Sequence, residues 1–235
     1  LSEAAGYHQV TEYLERHGRL REAFANTELG CKAFPEDSRL QEDLLRCYER
    51  DGWVEEALAL RRRRFDESPS VERYRQALQA GAAAGRDVAA LRDELQAVLQ
   101  AREEAAMKQG STRLPFLGRV NGPGAGQRDV SLRAEVLCSE GCWEEALVLV
   151  QPPAYCRDGV LAYMARKLDQ DHEAQRVELL KRVLESEMRG SKSPYRRELE
   201  LVEEIASLLE PALRAARPEA AGLEPAAALS QLCPV

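Results

Sequence analysis

Apolar and polar positions alternate along the chain in short blocks that have the period of an α-helix and are separated by glycine or proline. The first block carries apolar residues three or four positions apart, the spacing of one helix face, at Tyr7, Val10 and Leu14. The helix that they predict ends at Gly18, and a second predicted helix over about residues 20–33 stops before Pro35. Because the pattern continues to about residue 109, we expect a series of short helices over this part of the chain.

A glycine-led segment recurs at a nearly constant step. The segment Gly18–Phe24 returns as Gly52–Leu58, and a weaker copy, Gly85–Leu91, follows at almost the same distance. A more distant copy is Gly141–Leu147. A period of about 34 residues is that of stacked helix pairs, each of which buries its apolar face against its neighbours. The repeat therefore predicts an all-α fold.

The offsets within these copies resemble the tetratricopeptide repeat over roughly residues 4–109. That repeat has a small residue on its second helix and a proline twelve positions later, as Ala23 precedes Pro35 and Ala57 precedes Pro69. The resemblance implies an αα-superhelix, a tetratricopeptide-like helical repeat solenoid.

The copies also depart from that repeat. Leu45 occupies a position where the first helix usually has glycine, and Thr27 and Arg61 occupy positions where an aromatic residue is usual. The small residue on the second helix allows two helices to approach closely where they cross. The residues predicted to be buried together at the crossing of the second pair are Ala57, Leu44 and Tyr48.

Composition along the chain predicts four segments. Residues 1–109 are the tetratricopeptide-like helix pairs, and residues 110–130 are a linker or loop rich in glycine and proline. Residues 131–216 form a second helical array, and residues 217–235, rich in alanine and proline, form a flexible tail.

The stretch from Glu173 to Leu209 resembles the helical region of bacterial SWIM-type zinc-finger proteins. The resemblance lies in Val177–Leu180, Ser193–Tyr195 and Leu201–Ile205. The finger itself needs a Cys-x-Cys pair followed by Cys-x-His, and this sequence has neither. The resemblance implies an accessory helical module of a nucleic-acid-associated protein, whose finger would lie upstream of Leu1.

Charge and composition narrow the classes of partner. The formal net charge is −7 and the sequence pI is about 5.3, which argues against nucleic acid or an anionic membrane as the partner of the whole surface. No window approaches the roughly 18 apolar residues of a membrane helix, and the N-terminal residues do not resemble a signal peptide. With six scattered cysteines, this pattern is typical of a cytoplasmic protein with reduced thiols.

Two patterns raise the question of a metal or phosphate site. Cys138 and Cys142 lie four positions apart and, with His172 or Cys156, have the residue types of a metal site, but no Cys-x-x-Cys motif accompanies them. We interpret them as small side chains that fill a helix interface. The segment Gly122–Gln127 lacks the flanking strand and lysine of a phosphate-binding loop, so it is interpreted as a linker. No cofactor is expected.

Charged runs are interpreted as helix surface. Arg61–Arg64 spans more than one helical turn, so its four side chains do not face a single partner, although an anionic contact stays an alternative. Paired acids such as Glu55-Glu56 point about 100° apart and do not converge on one substrate. No nucleophile with a matched base is recognisable, so we expect a non-catalytic protein.

Trp53 and Trp143 each lie just after a repeat glycine. Their rings either pack between helix pairs as a staple or face a partner, and the sequence leaves both interpretations open.

These patterns predict a helical-repeat scaffold that binds another protein through the first helix of each pair. The acidic balance favours a partner segment that carries Lys or Arg. The alternative is the accessory module of a nucleic-acid-associated protein described above. The candidate partner-binding residues are the polar positions of the first helices: Gln9, Glu12, Glu42, Arg46, Arg75 and Gln79.

Overall fold

The computed structural model of the chain describes residues 3–110, 126–190 and 196–216. Within these ranges it contains eleven α-helices, a 3₁₀ turn at Gln170–His172 and a single isolated β-bridge between Asp129 and Tyr155. The all-α prediction is therefore confirmed. The helices are α1 (Ala4–Arg16), α2 (Leu20–Ala33), α3 (Ser38–Asp51), α4 (Val54–Glu67), α5 (Val71–Ala83), α6 (Val88–Gly110), α7 (Ser131–Glu140), α8 (Trp143–Leu149), α9 (Asp158–Lys167), α10 (Glu173–Gly190) and α11 (Arg196–Ala216).

The chain divides into two compact units, Leu1–Arg102 and Glu103–Val235. Much of the predicted linker (111–125), part of the SWIM-like stretch (191–195) and the predicted tail (217–235) lie outside the described residues. None of the helices in the described ranges combines the length and the apolar character that a bilayer-spanning segment needs.

In the first unit, consecutive helices pack against each other as pairs. Helix α1 packs on α2, α2 on α3, α3 on α4 and α4 on α5, and α1 also contacts α3. The first helices of the first two pairs are thus neighbours, which is the arrangement expected of a stacked helix-pair repeat.

A left-handed glycine ends the first helix of each pair. At Gly52 the φ angle is +75°, and the N–H of Trp53 donates to the carbonyl of Tyr48 at 2.8 Å, the bond of a Schellman cap. The same bond follows each of the other repeat glycines, whose φ angles lie between +66° and +77°: Gly18, Gly85 and Gly141. The glycines that define the sequence repeat are therefore the residues that reverse the chain.

Replacing Gly52 with alanine is expected to lower the free energy of unfolding by about 1 kcal/mol, because only the left-handed backbone is strained. A Cβ atom at Gly52 would meet nothing within 4 Å. Gly52→Asn should therefore lose less than Gly52→Ala, since asparagine adopts this conformation more readily. Urea denaturation monitored by Trp53 fluorescence measures both. Equal losses for the two variants would contradict a purely conformational origin.

The small residue on the second helix lies at a buried helix crossing, as predicted. Ala23 is fully buried on α2, and Ala57 on α4 is 4% exposed, together with Leu44 at 8%. The prediction is wrong for Tyr48, which is only half-buried. Its ring leaves the core side and stacks against the partly exposed ring of Trp53 at a centroid distance of 5.9 Å.

In the third helix pair, the small residue at the crossing lies on the first helix and not on the second. Helix α6 begins one position later after its glycine than α2 or α4 does, and Leu91, not Ala90, is the buried residue at the crossing. A Cβ atom built on Gly81 of α5 would overlap Leu91 Cδ2. The close approach is therefore retained, with the glycine on the first helix and the large side chain on the second.

A buried polar contact replaces the usual aromatic residue of the first pair. The hydroxyl groups of Thr11 and Thr27, both fully buried, lie 2.9 Å apart, and Thr27 donates to the carbonyl of Ala23 at 2.8 Å. The amide of Asn26 donates to Thr11 Oγ1 at 2.9 Å and to the Tyr7 carbonyl at 2.8 Å. These hydrogen bonds join α1 to α2 where apolar packing would otherwise do so.

The second unit has its own apolar core. Helix α7 packs on α8 and α9, α9 packs on α10, and α10 packs on α11. Ala146 lies fully buried on α8, at the same distance after Gly141 as Ala57 lies after Gly52. Arg182 of α10 donates to the carbonyl of Val150 at 2.6 Å and so ties α10 to the end of α8.

Candidate partner-binding face

The candidate site is the exposed side of α1, α3 and α5, called here the first-helix face. Of the six predicted residues, Gln9, Glu42, Arg46, Arg75 and Gln79 are exposed and Glu12 is half-buried. Glu12, Arg46 and Gln79 occupy equivalent positions in the first helices of three consecutive pairs, since one repeat step separates each from the next. They form one line across the face.

A charged network joins α1 to α3 at one end of this line. The carboxylate of Asp43, only 2% exposed, lies 2.5 Å from His8 Nδ1 and accepts a hydrogen bond from Arg46 at 2.5 Å. His8 Nε2 lies 3.6 Å from Glu12, and Arg46 also approaches Glu15 at 3.5 Å. The structure thus brings the predicted residues Glu12 and Arg46 together through two residues that the sequence analysis does not select, His8 and Asp43.

Gln9 does not join this network. It is the equivalent of Asp43 in the preceding repeat, and Asp43 lies on the side of α3 that faces α1. By the repeat relation, Gln9 lies on the side of α1 that points away from α3. It therefore belongs to the edge of the first-helix face.

Two arginines of the 61–64 run pair with carboxylates of α3. Arg61 contacts Glu49 and Arg64 contacts Glu42, each at 2.5 Å. The arginine side chains are 13% and 12% exposed, whereas the glutamates are 53% and 55% exposed. The predicted residue Glu42 is therefore both an exposed carboxylate of the face and a tie between the helices of its own pair.

The other two arginines of the run also have carboxylate partners. Arg62 reaches Glu94 of α6 at 2.7 Å, and Arg63 pairs with Glu67 on its own helix at 2.7 Å. The four side chains reach carboxylates on three helices, α3, α4 and α6, and do not face a single partner, as the helical spacing predicts. Each is already neutralised by a glutamate, so the run does not present a free basic patch.

A groove of about 190 Å³ lies between α3, α4 and α5. It is lined by Glu49, Val54, Ala57, Arg61, Gln79, Ala80 and Ala83. The groove places the predicted residue Gln79 beside the Arg61–Glu49 pair, and Arg61 Nη1 is buried there without a hydrogen-bond partner. Its floor is apolar and its walls offer an amide, a carboxylate and a guanidinium donor. A short polar segment of another chain matches this lining.

The cysteine and histidine residues considered as metal ligands lie in the second unit. Cys138 and Cys156 are buried, and burial raises their pKa values to about 11 and about 12. Both ring nitrogens of His172 contact carboxylates, Asp169 at 2.5 Å and Glu144 at 2.8 Å. In the described part of the chain, no three His, Cys, Asp or Glu residues are grouped so as to hold a metal ion.

Stability of the second unit should depend on the charge of His172. Hydrogen bonds to Asp169 and then to Glu144 raise the pKa of His172 above 6.5. The contribution of the protonated ring is therefore complete below pH 6.5 and is lost as pH rises through the higher folded-state value. In urea denaturation monitored by Trp143 fluorescence, the stability difference between the wild type and His172→Gln should shrink as pH increases from 6 to 8. A difference that is constant over this interval would contradict the interpretation.

Comparison with known proteins gives structural matches only. No family model matches the chain, and no curated protein matches it. A thermophilic tetratricopeptide-repeat protein from Thermus thermophilus is similar at 16% identity, with 88% of this chain and 99% of that chain covered and a TM-score of 0.31. A putative kinesin light chain from Podosopora anserina with nearly identical tetratricopeptide-like repeats is similar at 17% identity, with 91% and 98% covered and a TM-score of 0.31.

The repeat assignment rests on the chain's own geometry. Three consecutive helix pairs share the left-handed glycine, the capping bond after it and the close crossing that follows. The SWIM-type resemblance of residues 173–209 stays a prediction. The first unit is thus a tetratricopeptide-like helical repeat with irregular copies.

Proposed function

We propose that this chain is a non-catalytic helical-repeat scaffold that binds another protein through the first-helix face. The observation that carries the proposal is the line of equivalent polar residues Glu12, Arg46 and Gln79 across α1, α3 and α5. Repeat proteins of this kind use such an extended series of neighbouring helices as a binding surface.

The chemistry of the face favours a basic polar segment as the ligand. Glu42 and Glu49 expose more than half of their side chains, and the chain has a net charge of −7. In the groove, the exposed Gln79 offers an amide that can both donate to and accept from a peptide backbone. A Lys- or Arg-bearing peptide that lies across α3 and α5 would share the exposed carboxylates of Glu42 and Glu49 with Arg64 and Arg61.

The thiols nearest the face support a non-catalytic role. Cys31 is half-buried and Cys47 is buried. Burial raises both pKa values, that of Cys31 to about 11. These thiols are therefore protonated at neutral pH and are poor nucleophiles. We propose, from the six scattered cysteines of the sequence, that the protein works in the reducing cytoplasm.

The alternative, an accessory module of a nucleic-acid-associated protein, rests on the SWIM-type resemblance and on Arg61–Arg64, and the second of these supports is weakened because the four arginines are paired. Phosphate binding would have to displace four glutamates. We expect no binding of DNA or RNA at physiological salt and little at low salt. Tight binding that weakens steeply with salt would favour the alternative.

Site-specific photo-crosslinking tests the scaffold proposal. A photoreactive phenylalanine derivative would replace Gln79 on the face or, as a control, Ala59 on the exposed side of α4. After irradiation in a lysate of the source cell, Gln79 should capture a specific protein that Ala59 does not. Capture of nothing specific by the folded Gln79 variant, or of the same proteins from both positions, would overturn the proposal.

A further inference from the structure

An aromatic patch lies where α2, α3 and the start of α4 meet. It consists of Phe24, Tyr48 and Trp53. The rings of Tyr48 and Trp53 are nearly parallel, with an interplanar angle of 16° and a centroid distance of 5.9 Å. Phe24 meets Trp53 edge-on at 5.2 Å. The patch is thus a packing staple between the first two helix pairs, yet Trp53 remains 45% exposed.

Two carboxylates flank this patch. Burial raises the pKa of Tyr48, and the negative charges of Glu28 and Glu56 raise it further. Glu28 lies one helical turn after Phe24 on α2. Glu28 is half-buried and Glu56 is exposed. Among the described residues neither has an ion-pair partner, whereas the adjacent Glu55 pairs with Arg86 at 2.8 Å.

A surface depression of about 320 Å³ lies beside the exposed ring. It is lined by Gly52, Trp53, Val54, Glu55 and Glu56. Trp53 and the unpaired Glu56 therefore border the same space. A planar cation that enters it meets an aromatic face and an acceptor oxygen together, the two groups that guanidinium recognition combines.

We propose that the aromatic patch, with Glu28 and Glu56, binds an arginine side chain of a protein partner. The guanidinium group stacks on the exposed face of Trp53 and donates hydrogen bonds to Glu56. The negative charge of Glu28 adds a longer-range attraction. Arg86 pairs with Glu55, which lines the depression, and the arginines at positions 61–64 have other glutamate partners, so the positive charge for Glu56 comes from another molecule. The proposal rests on the proposed function only in assuming a protein partner, and it concerns a different surface.

A short peptide tests this without knowledge of the partner. The probe is acetyl-Gly-Arg-Gly-amide, titrated into the full chain while the indole N–H signals of Trp53 and Trp143 are followed by NMR. The Trp53 signal should shift and saturate, and the Trp143 signal should not move. Replacing arginine in the probe with citrulline, which has nearly the same shape and no charge, should remove the shift.

Two charge-neutralising variants make the test specific. Glu56→Gln should weaken binding about two- to fivefold, the range expected for losing one exposed contact to a guanidinium group. Glu178→Gln removes another exposed carboxylate, from α10 in the other unit, and it should leave binding unchanged. Both substitutions are at exposed helix positions, so folding should be retained.

Three outcomes would overturn the proposal: no saturable shift of the Trp53 signal, equal binding of the citrulline peptide, or equal weakening by Glu56→Gln and Glu178→Gln. None of these depends on crosslinking at Gln79. A failure of the arginine site is therefore distinguishable from a failure of the first-helix scaffold.

Discussion

Replacing Ala23 with leucine is expected to lower the free energy of unfolding of the first unit by about 3 kcal/mol, the upper end of the range for overpacking a core. Ala23 is fully buried where α2 crosses α1. The added carbon atoms have no free volume there, so the helices must separate. The hydrogen bond from Thr27 to the Ala23 carbonyl, at 2.8 Å, lies in the same crossing and would be strained by that separation. Urea denaturation monitored by Trp53 fluorescence measures the loss.

The control is Ala25→Leu, two positions along the same helix and exposed. It should change stability by no more than about 0.5 kcal/mol. Ala57→Leu should fall between the two, because Ala57 borders the groove between α3, α4 and α5, which accepts part of the new side chain. Ala59→Leu, exposed on α4, should resemble Ala25→Leu. If Ala23→Leu and Ala25→Leu unfold at the same urea concentration, the helix register proposed for the repeats is wrong.

The features that the sequence predicts correctly are local and periodic. A glycine such as Gly52 is recognisable because it follows a helical apolar stripe and is repeated at a constant step. The burial of Ala57 follows from its fixed distance to that glycine. Both need only the order of residues within one helix pair, so the pattern is sufficient to locate them.

The features that the sequence does not predict depend on which side chains meet across helices. Leu91 takes the crossing position of the third pair because Gly81, on the preceding helix, leaves room for it. The charge of Asp43 predicts a surface residue, and only the approach of His8 and Arg46 accounts for its burial. Periodicity gives the face on which a residue lies, but the identity of its neighbour on the next helix requires the fold.

The candidate face also combines features that the sequence predicts with features that only the fold determines. Glu12, Arg46 and Gln79 are recognisable as equivalent from the repeat step alone. That Arg46 is held by Asp43, and that Gln79 borders a groove with Arg61, follows from packing between pairs. The repeat therefore predicts which positions form the surface, and the structure adds which of them are already engaged in ion pairs.

Gly30→Ala is expected to lower the free energy of unfolding of the first unit by about 2 kcal/mol, the middle of the range for overpacking. In a helix interior this substitution ordinarily stabilises by up to about 1 kcal/mol. A Cβ atom on Gly30 would lie 2.9 Å from Tyr7 Cβ and 3.2 Å from Leu40 Cδ1. The leucine methyl group can rotate away. Tyr7 Cβ is bonded directly to the backbone of α1, and Asn26 holds that backbone through the Tyr7 carbonyl, so α1 must move.

The matched substitution is Gly159→Ala in α9, where a new Cβ atom would meet nothing within 4 Å. It should raise the stability of the second unit by less than about 1 kcal/mol, the value for a helix interior, because Gly159 lies in the first turn of α9 and only the helix propensity changes. The two variants thus test the same chemical change with opposite expected signs. Trp53 in a Trp143→Phe background and Trp143 in a Trp53→Phe background report on the respective units. If Gly30→Ala stabilises the protein as Gly159→Ala does, α1 and α2 do not approach each other at Tyr7 as closely as described. The three-helix contact of Gly30, Tyr7 and Leu40 would then not fix the position of α1.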